Sequence, residues 1–292
     1  MSIQQVAVIG GGLMGRGIAQ NAAEAGKNVT IIETSEELAE KSMAAIQKRL
    51  QRDIEKDRKT NVEAEEVMQC LEAKVGLDYI KQADLVIEAV PEQLEIKKLV
   101  FRELDTVAKE SAILATNTSG LSVAAIGAAT KRPEQVIGFH YFYPVQLMKL
   151  VEITPSIITS EETAEQMQAF AEDINKQPVK CNDYPGFLVN RLLIPMVNEA
   201  IYCVMEGADP EDVDRAMQLG ANHRMGPVTL ADFVGLDVLL ATMEGLYEGF
   251  NDSKYRPCPL LKKMVESGNY GVKTGKGFYY YEKNGKQIQA AI

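Results

Sequence analysis

The sequence predicts an α/β fold in two parts: a doubly wound, mainly parallel sheet, then an all-helical C-terminal domain. Three observations predict it. Short apolar runs alternate with helical periodicity through the first half, the pattern of successive βαβ units. The first apolar run ends in Gly10-Gly11-Gly12, a turn that opens directly into a helical pattern. Beyond Asp183-Tyr184-Pro185-Gly186 the periodicity is helical almost throughout. The boundary is therefore placed at residue 184, giving a sheet domain over 1–184 and a helical domain over 185–292.

Residues 3–9 (IQQVAVI) read as a strand. A helix follows from Leu13 to about Ala25, with Gly26 as its C′ residue. Residues 28–32 (NVTII) are a second buried strand that completes one βαβ unit. A long, charge-laced helix is predicted over 35–59. Residues 84–90 form a strand, 93–108 a helix, and 111–116 a strand ending at Asn117-Thr118-Ser119. Further strands are predicted over 135–142 and 149–154. The second domain shows helices over 187–206, 210–219, 235–249 and 259–266, the first with an expected kink at Pro195.

Of the 292 residues, 46% are hydrophobic and 25% charged, which excludes intrinsic disorder. Lys and Arg number 31 against 41 Asp and Glu, a net charge of −10. A broad nucleic-acid or anionic-membrane surface, which needs a basic face, is thereby disfavoured. Cys70, Cys181, Cys203 and Cys258 form no CxxC pair and match no zinc or disulfide framework, so no metal site is expected. Such cysteine usage suits a reducing compartment. The N-terminus has no basic segment and the apolar stretch after it is broken by glycines, so a cytoplasmic protein without a membrane span is expected.

Gly10-x-Gly12-x-x-Gly15 fits the dinucleotide fingerprint, and its place between a strand and a helix makes the sheet domain Rossmann-like. Gly10 permits the tight turn, Gly12 lets backbone approach a pyrophosphate, and Gly15 lets helix and strand pack closely. The helix N-terminus then meets phosphate with free N–H groups and its dipole. Glu33 closes the second strand, where a carboxylate bonds the adenosine ribose hydroxyls. Thr34 and Ser35 follow it, with no Arg to accept a 2′-phosphate, so the expected cofactor is NAD and not NADP.

The chain has two histidines. His140 closes the run Val136-Ile137-Gly138-Phe139-His140, at the sheet edge where open α/β sheets bind ligands. Glu152 lies twelve residues on, and a hairpin between the two strands would bring its carboxylate to the imidazole. On pattern alone, His140 reads equally well as a structural residue at a strand end. His223 lies in a Gly- and Asn-rich turn, which favours a surface or capping role.

Six motifs occur in order: Gly10–Gly15, Asn117-Thr118-Ser119, Gly138-Phe139-His140, Met148-Lys149-Leu150-Val151-Glu152, Pro185-Gly186-Phe187-Leu188-Val189-Asn190-Arg191 and Lys273-Thr274-Gly275-Lys276-Gly277-Phe278-Tyr279. Over essentially its whole length the chain resembles the L-3-hydroxyacyl-CoA dehydrogenases, most of all bacterial enzymes acting on 3-hydroxybutyryl-CoA. The resemblance implies a catalytic His–Glu pair at His140 and Glu152, with Ser119 and Asn190 holding the substrate. It puts cofactor contacts on Gly10, Gly12, Leu13, Met14, Gly15, Glu33, Ala89, Glu92, Lys97, Asn117, Ser119 and Lys273. It also implies an acyl-CoA substrate and a homodimer formed through the helical domain.

One position departs from the family pattern. After His140 the sequence runs Tyr141-Phe142-Tyr143-Pro144, and Tyr143 stands where the family has an Asn. A phenol is bulkier and lacks the paired donor and acceptor of an amide.

Residues 48–59 hold six basic and three acidic residues. Lys48, Arg52, Lys56 and Lys59 are spaced to share one helix face, which suits the phosphates of coenzyme A and suits a solvated face equally well. Two rivals stand beside the thioester dehydrogenase: a dehydrogenase of a free hydroxy acid such as carnitine or a sugar acid, and an NAD-binding protein with little catalysis. Tyr143 is the feature that favours the latter.

Overall fold

The computed structural model describes residues 3–291. The chain divides into two compact units, one ending at Asp183 and one beginning at Tyr184.

The first unit alternates strands and helices: β1 (Gln5–Ile9), α1 (Leu13–Glu24), β2 (Asn28–Glu33), α2 (Glu36–Glu55), α3 (Asn61–Gln69), β3 (Leu71–Val75), β4 (Leu85–Glu88), α4 (Leu94–Val107), β5 (Ile113–Thr116), α5 (Val123–Gly127), β6 (Val136–Tyr141), β7 (Leu150–Pro155), α6 (Glu161–Asp173) and β8 (Gln177–Lys180). They build an eight-stranded sheet in the order β3-β2-β1-β4-β5-β6-β7-β8. Strands β1 to β6 are mutually parallel, and β7 reverses to pair antiparallel with β6. Central strands such as β4 and β5 are buried at every residue, as a sheet covered on both faces requires. The direction of winding switches between β1 and β4, whose carboxyl ends carry Gly10 and Ala89. Ligands bind open α/β sheets at such a point.

The expected helix over 35–59 ends earlier, at Glu55. Asp57 adopts a left-handed backbone (φ 53°), which a right-handed helix cannot contain, so Arg58 and Lys59 leave the helix. The sequence reading omitted α3, β3, α5, α6 and β8. The first of these carried a legible signal: Thr60 and Glu63 form a capping box at its start.

The second unit contains α7 (Val189–Met205), α8 (Pro210–Gly220), α9 (Pro227–Val234), α10 (Leu236–Phe250) and α11 (Pro259–Glu266). It is helical, as expected, though α9 was not among the expected helices, and it is not entirely helical: β9 (Tyr279–Tyr281) and β10 (Gln287–Ala290) form an antiparallel ribbon. Pro195 has no N–H to offer the carbonyl of Arg191, yet α7 continues through it. Its core gathers Ile201, Leu239, Met243, Leu261 and Phe278. Buried Asp232 and Asp214 anchor the ribbon: Asp232 accepts the N–H groups of Phe278 and Tyr279 and the Tyr281 hydroxyl, each at 3.0 Å, and Asp214 accepts the Tyr279 hydroxyl at 2.8 Å. Among the described residues no helix is long and apolar enough to cross a membrane.

Candidate active site

The glycine loop leaves β1 at Gly10, whose φ of +91° favours glycine. Its N–H donates to the Ile32 carbonyl at 2.9 Å. A Cβ on Gly15 would lie 1.8 Å from the Gly10 carbonyl oxygen, so glycine is what lets α1 start this close to the strand. Nothing lies within 4 Å of the point where a Cβ on Gly12 would stand. No side chain caps α1 at Gly12, which leaves the first turn, with Leu13 and Met14, to present its N–H groups. An open approach over Gly12 beside an uncapped helix N-terminus fits a pyrophosphate.

Glu33 stands at the end of β2, beside this loop. Its Oε1 accepts the Gly11 N–H at 2.8 Å. Ser42 on α2 places its Oγ 3.0 Å from the Gly11 carbonyl oxygen and 3.2 Å from the same Glu33 oxygen. A Cβ on Gly11 would fall 2.2 Å from Ser42 Oγ and 2.6 Å from Glu33 Oε1. Gly11 is thus sterically constrained where Gly12 is open, and sequence reasoning missed both Gly11 and Ser42. The fingerprint marks the glycines needed for the turn, the pyrophosphate and the helix–strand packing, whereas Gly11 makes room for the side chains of Ser42 and Glu33.

His140 and Glu152 are direct partners in the β6–β7 ladder. Side chains of paired antiparallel residues share one face, and His140 Nδ1 lies 2.8 Å from Glu152 Oε2. The two side chains are 8% and 1% exposed. A carboxylate here accepts Nδ1–H, which fixes the tautomer and leaves Nε2 as the basic nitrogen. The Phe142 ring lies 4.5 Å from the imidazole, centre to centre. Burial pushes the Tyr141 hydroxyl well above its usual range, and it pushes the Cys181 thiol up to about 11.

The loop after β5 joins this pair. Asn117 Oδ1 accepts the Tyr141 N–H at 2.9 Å, which ties the loop to the strand that carries His140. Ser119 donates from N and Oγ to Glu92 Oε1, at 2.7 and 3.1 Å. Asp183 takes the N–H groups of Val123 and Ala124, at 2.9 and 2.8 Å, and so fixes the far end of the loop. Lys97 Nζ is buried, 2.7 Å from Glu88 Oε1 and 3.2 Å from Glu92 Oε2. The structure therefore brings Glu92, Lys97, Asn117 and Ser119 together within the first unit. The two other residues expected in the site belong to the second unit. Asn190 lies in the first turn of α7, and Lys273 pairs with Asp237 at 2.5 Å.

Tyr143 is 52% exposed. It lines a cavity of about 210 Å³ with Leu13, Arg16, Arg49, Arg52 and Gln146. On α2, Lys48 and Arg52 are exposed, as is Lys56 at its C-cap. Lys59 does not share that face: it lies beyond the helix and pairs with Glu24 at 3.3 Å.

Residues 5–184 match the family described as 3-hydroxyacyl-CoA dehydrogenase, NAD binding domain, and residues 186–281 match that family's C-terminal domain. The chain belongs to the 3-hydroxyacyl-CoA dehydrogenase family. It is 49% identical to a probable 3-hydroxybutyryl-CoA dehydrogenase of Bacillus subtilis, over 97% of this chain and 99% of the relative. Against the human mitochondrial hydroxyacyl-coenzyme A dehydrogenase it is 40% identical, over 96% and 92%. The crystal structure of (S)-3-hydroxybutyryl-CoA dehydrogenase from Ralstonia eutropha superposes with a TM-score of 0.94 at 40% identity, covering 96% of this chain and all of the other. The first unit is thus the family's NAD-binding domain, and the chain is an NAD-dependent oxidoreductase of this family.

Proposed function

We propose that this dehydrogenase interconverts a short-chain L-3-hydroxyacyl-CoA, such as 3-hydroxybutanoyl-CoA, and its 3-keto thioester. The contact between His140 and Glu152, held by strand register at the sheet edge, is the observation that carries this reading. When bound, NAD supplies the acceptor for the hydride that leaves C3. His140 takes the proton of the 3-hydroxyl on Nε2, and Glu152 stabilises the resulting imidazolium. In the opposite direction the imidazolium returns that proton to the 3-keto oxygen. Ser119 and Asn190 orient the hydroxyl or thioester oxygen by hydrogen bonding. Gly10, Gly12, Gly15 and the first turn of α1 hold the pyrophosphate, Glu33 the adenosine ribose, and Lys273 a further part of the cofactor. Lys48, Arg52 and Lys56 meet the phosphates of coenzyme A. Half-exposed Tyr143 is compatible with turnover.

We assign the working form to a cytoplasmic homodimer that uses exposed apolar residues of the second unit, among them Leu192, Leu219 and Phe233. Light scattering that returns the mass of a single chain would refute the dimer. The activity itself is tested by oxidation of NADH with acetoacetyl-CoA, run beside free acetoacetate and beside NADPH. Turnover confined to NADH and the thioester supports the proposal. Equal rates with the free acid would transfer the assignment to a hydroxy-acid dehydrogenase.

A further inference from the structure

A fully buried ion pair lies behind Ser119, and its acidic member has no place in the chemistry above. Glu88 closes β4 with its side chain 0% exposed, and Lys97 reaches it from the first turn of α4 with its own 1% exposed. Burying such a pair is costly, and an apolar pair would pack as well or better, so the pair needs a reason beyond packing. Both Glu88 oxygens are engaged. Oε1 accepts the Val90 N–H and Lys97 Nζ, each at 2.7 Å, and Oε2 accepts the Thr116 hydroxyl at 2.7 Å.

Two routes lead from Glu88 to one loop. In the first, Lys97 spans from Glu88 to Glu92 Oε2, and the other Glu92 oxygen receives Thr118 Oγ1 at 2.6 Å together with the N and Oγ of Ser119. Burial raises the Glu92 carboxyl, but the Lys97 charge and the bonds from Thr118 and Ser119 outweigh it and hold the group below its ordinary range. In the second route, the Thr116 hydroxyl that donates to Glu88 accepts the Thr118 N–H at 3.3 Å. Glu88, Lys97, Thr116 and Thr118 lie in the low-dielectric interior and Glu92, 41% exposed, carries the network out to Ser119; such a network fixes geometry when its buried members are satisfied.

We propose that Glu88 is a positioning residue for Ser119, acting through Lys97 and Glu92 and through Thr116. Lys97 then serves the loop, its ammonium held between the two carboxylates with a further, longer bond to the Val90 carbonyl at 3.4 Å. The assignment rests on the substrate-holding role given above to Ser119.

The test uses the full chain and two readouts. The first is amide hydrogen exchange of the protein without substrate, comparing residues 117–121 with strand β1. Glu88→Gln is expected to speed exchange in 117–121 by about tenfold while β1 stays unchanged. Unchanged exchange in 117–121 overturns the proposal. The second is a double-mutant cycle with acetoacetyl-CoA and NADH. Glu88→Gln is expected to lower kcat/KM about tenfold in the parent and less than about twofold on a Ser119→Ala background. Equal losses on both backgrounds overturn the proposal, because they describe a merely structural residue. If Glu88→Gln does not fold, Thr116→Val takes its place, with a smaller change in the same direction expected and unchanged exchange again overturning the idea. Should the parent fail to turn over the thioester, the function proposed above fails, while hydrogen exchange still decides the role of Glu88.

Discussion

Gly15 shows how one missing methyl group sets the cofactor site. The 1.8 Å separation between its would-be Cβ and the Gly10 carbonyl oxygen leaves no room for alanine unless the loop or α1 moves. Gly15→Ala is therefore expected to weaken NADH binding by at least about tenfold. The chain has no Trp, so the fluorescence of bound NADH can be titrated without tryptophan transfer; unchanged affinity would contradict the loop assignment. The cofactor turn and the His–Glu pair were legible in the sequence. Gly10 follows from the turn, Gly12 from the phosphate, Gly15 from helix–strand packing and Glu33 from the ribose, and His140 with Glu152 follows from a hairpin register. Residues outside these motifs that serve the protein's own side chains were not legible. Gly11, Ser42 and Glu88 owe their places to side chains brought in from elsewhere in the fold, and no local spacing announces them.

At the scale of elements, helix α2 ends where Asp57 turns left-handed, and that end divides the basic cluster. Lys59 is taken by Glu24, and Arg58 lies 3.6 Å from Asp53, while Lys48, Arg52 and Lys56 remain exposed. Replacing these three by Ala is expected to raise the KM for the thioester roughly tenfold at low salt, with kcat little changed and the gap narrowing as salt rises. A KM unaffected at low salt would make this a solvated face only.

The ribbon of β9 and β10 makes a separate prediction. Burial lifts the Asp232 carboxyl to about 6, against the N–H groups of Phe278 and Tyr279 and the Tyr281 hydroxyl, which pull it down. A raised folded-state pKa means that this group stabilises the fold fully below its unfolded value. That contribution is lost as pH rises through about 6. Above that pH the Tyr281 hydroxyl donates to a charged acceptor. Tyr281→Phe is thus expected to cost about 1.5–3 kcal/mol near pH 8 and about 1 kcal/mol near pH 5, measured by urea unfolding followed by circular dichroism. An equal cost at both pH values would show that Asp232 does not titrate between them.

At the scale of the whole molecule, the order of strands and helices was readable because buried parallel strands appear as short apolar runs between amphipathic helices. The omitted elements are short or weakly apolar. Edge strand β8 has no fully buried residue, and β9 is three residues long, hidden in a segment of tyrosines. The central claim is that a doubly wound sheet delivers a histidine base, oriented by a carboxylate, to a thioester beside NAD. It is tested most directly by the acetoacetyl-CoA-dependent oxidation of NADH, comparing His140→Ala with the parent and measuring NADH affinity in both. The predicted result is rapid turnover by the parent and a loss of about 10²–10⁴ in kcat for the variant, with NADH binding retained. A variant that keeps its kcat within a factor of about two of the parent would contradict it.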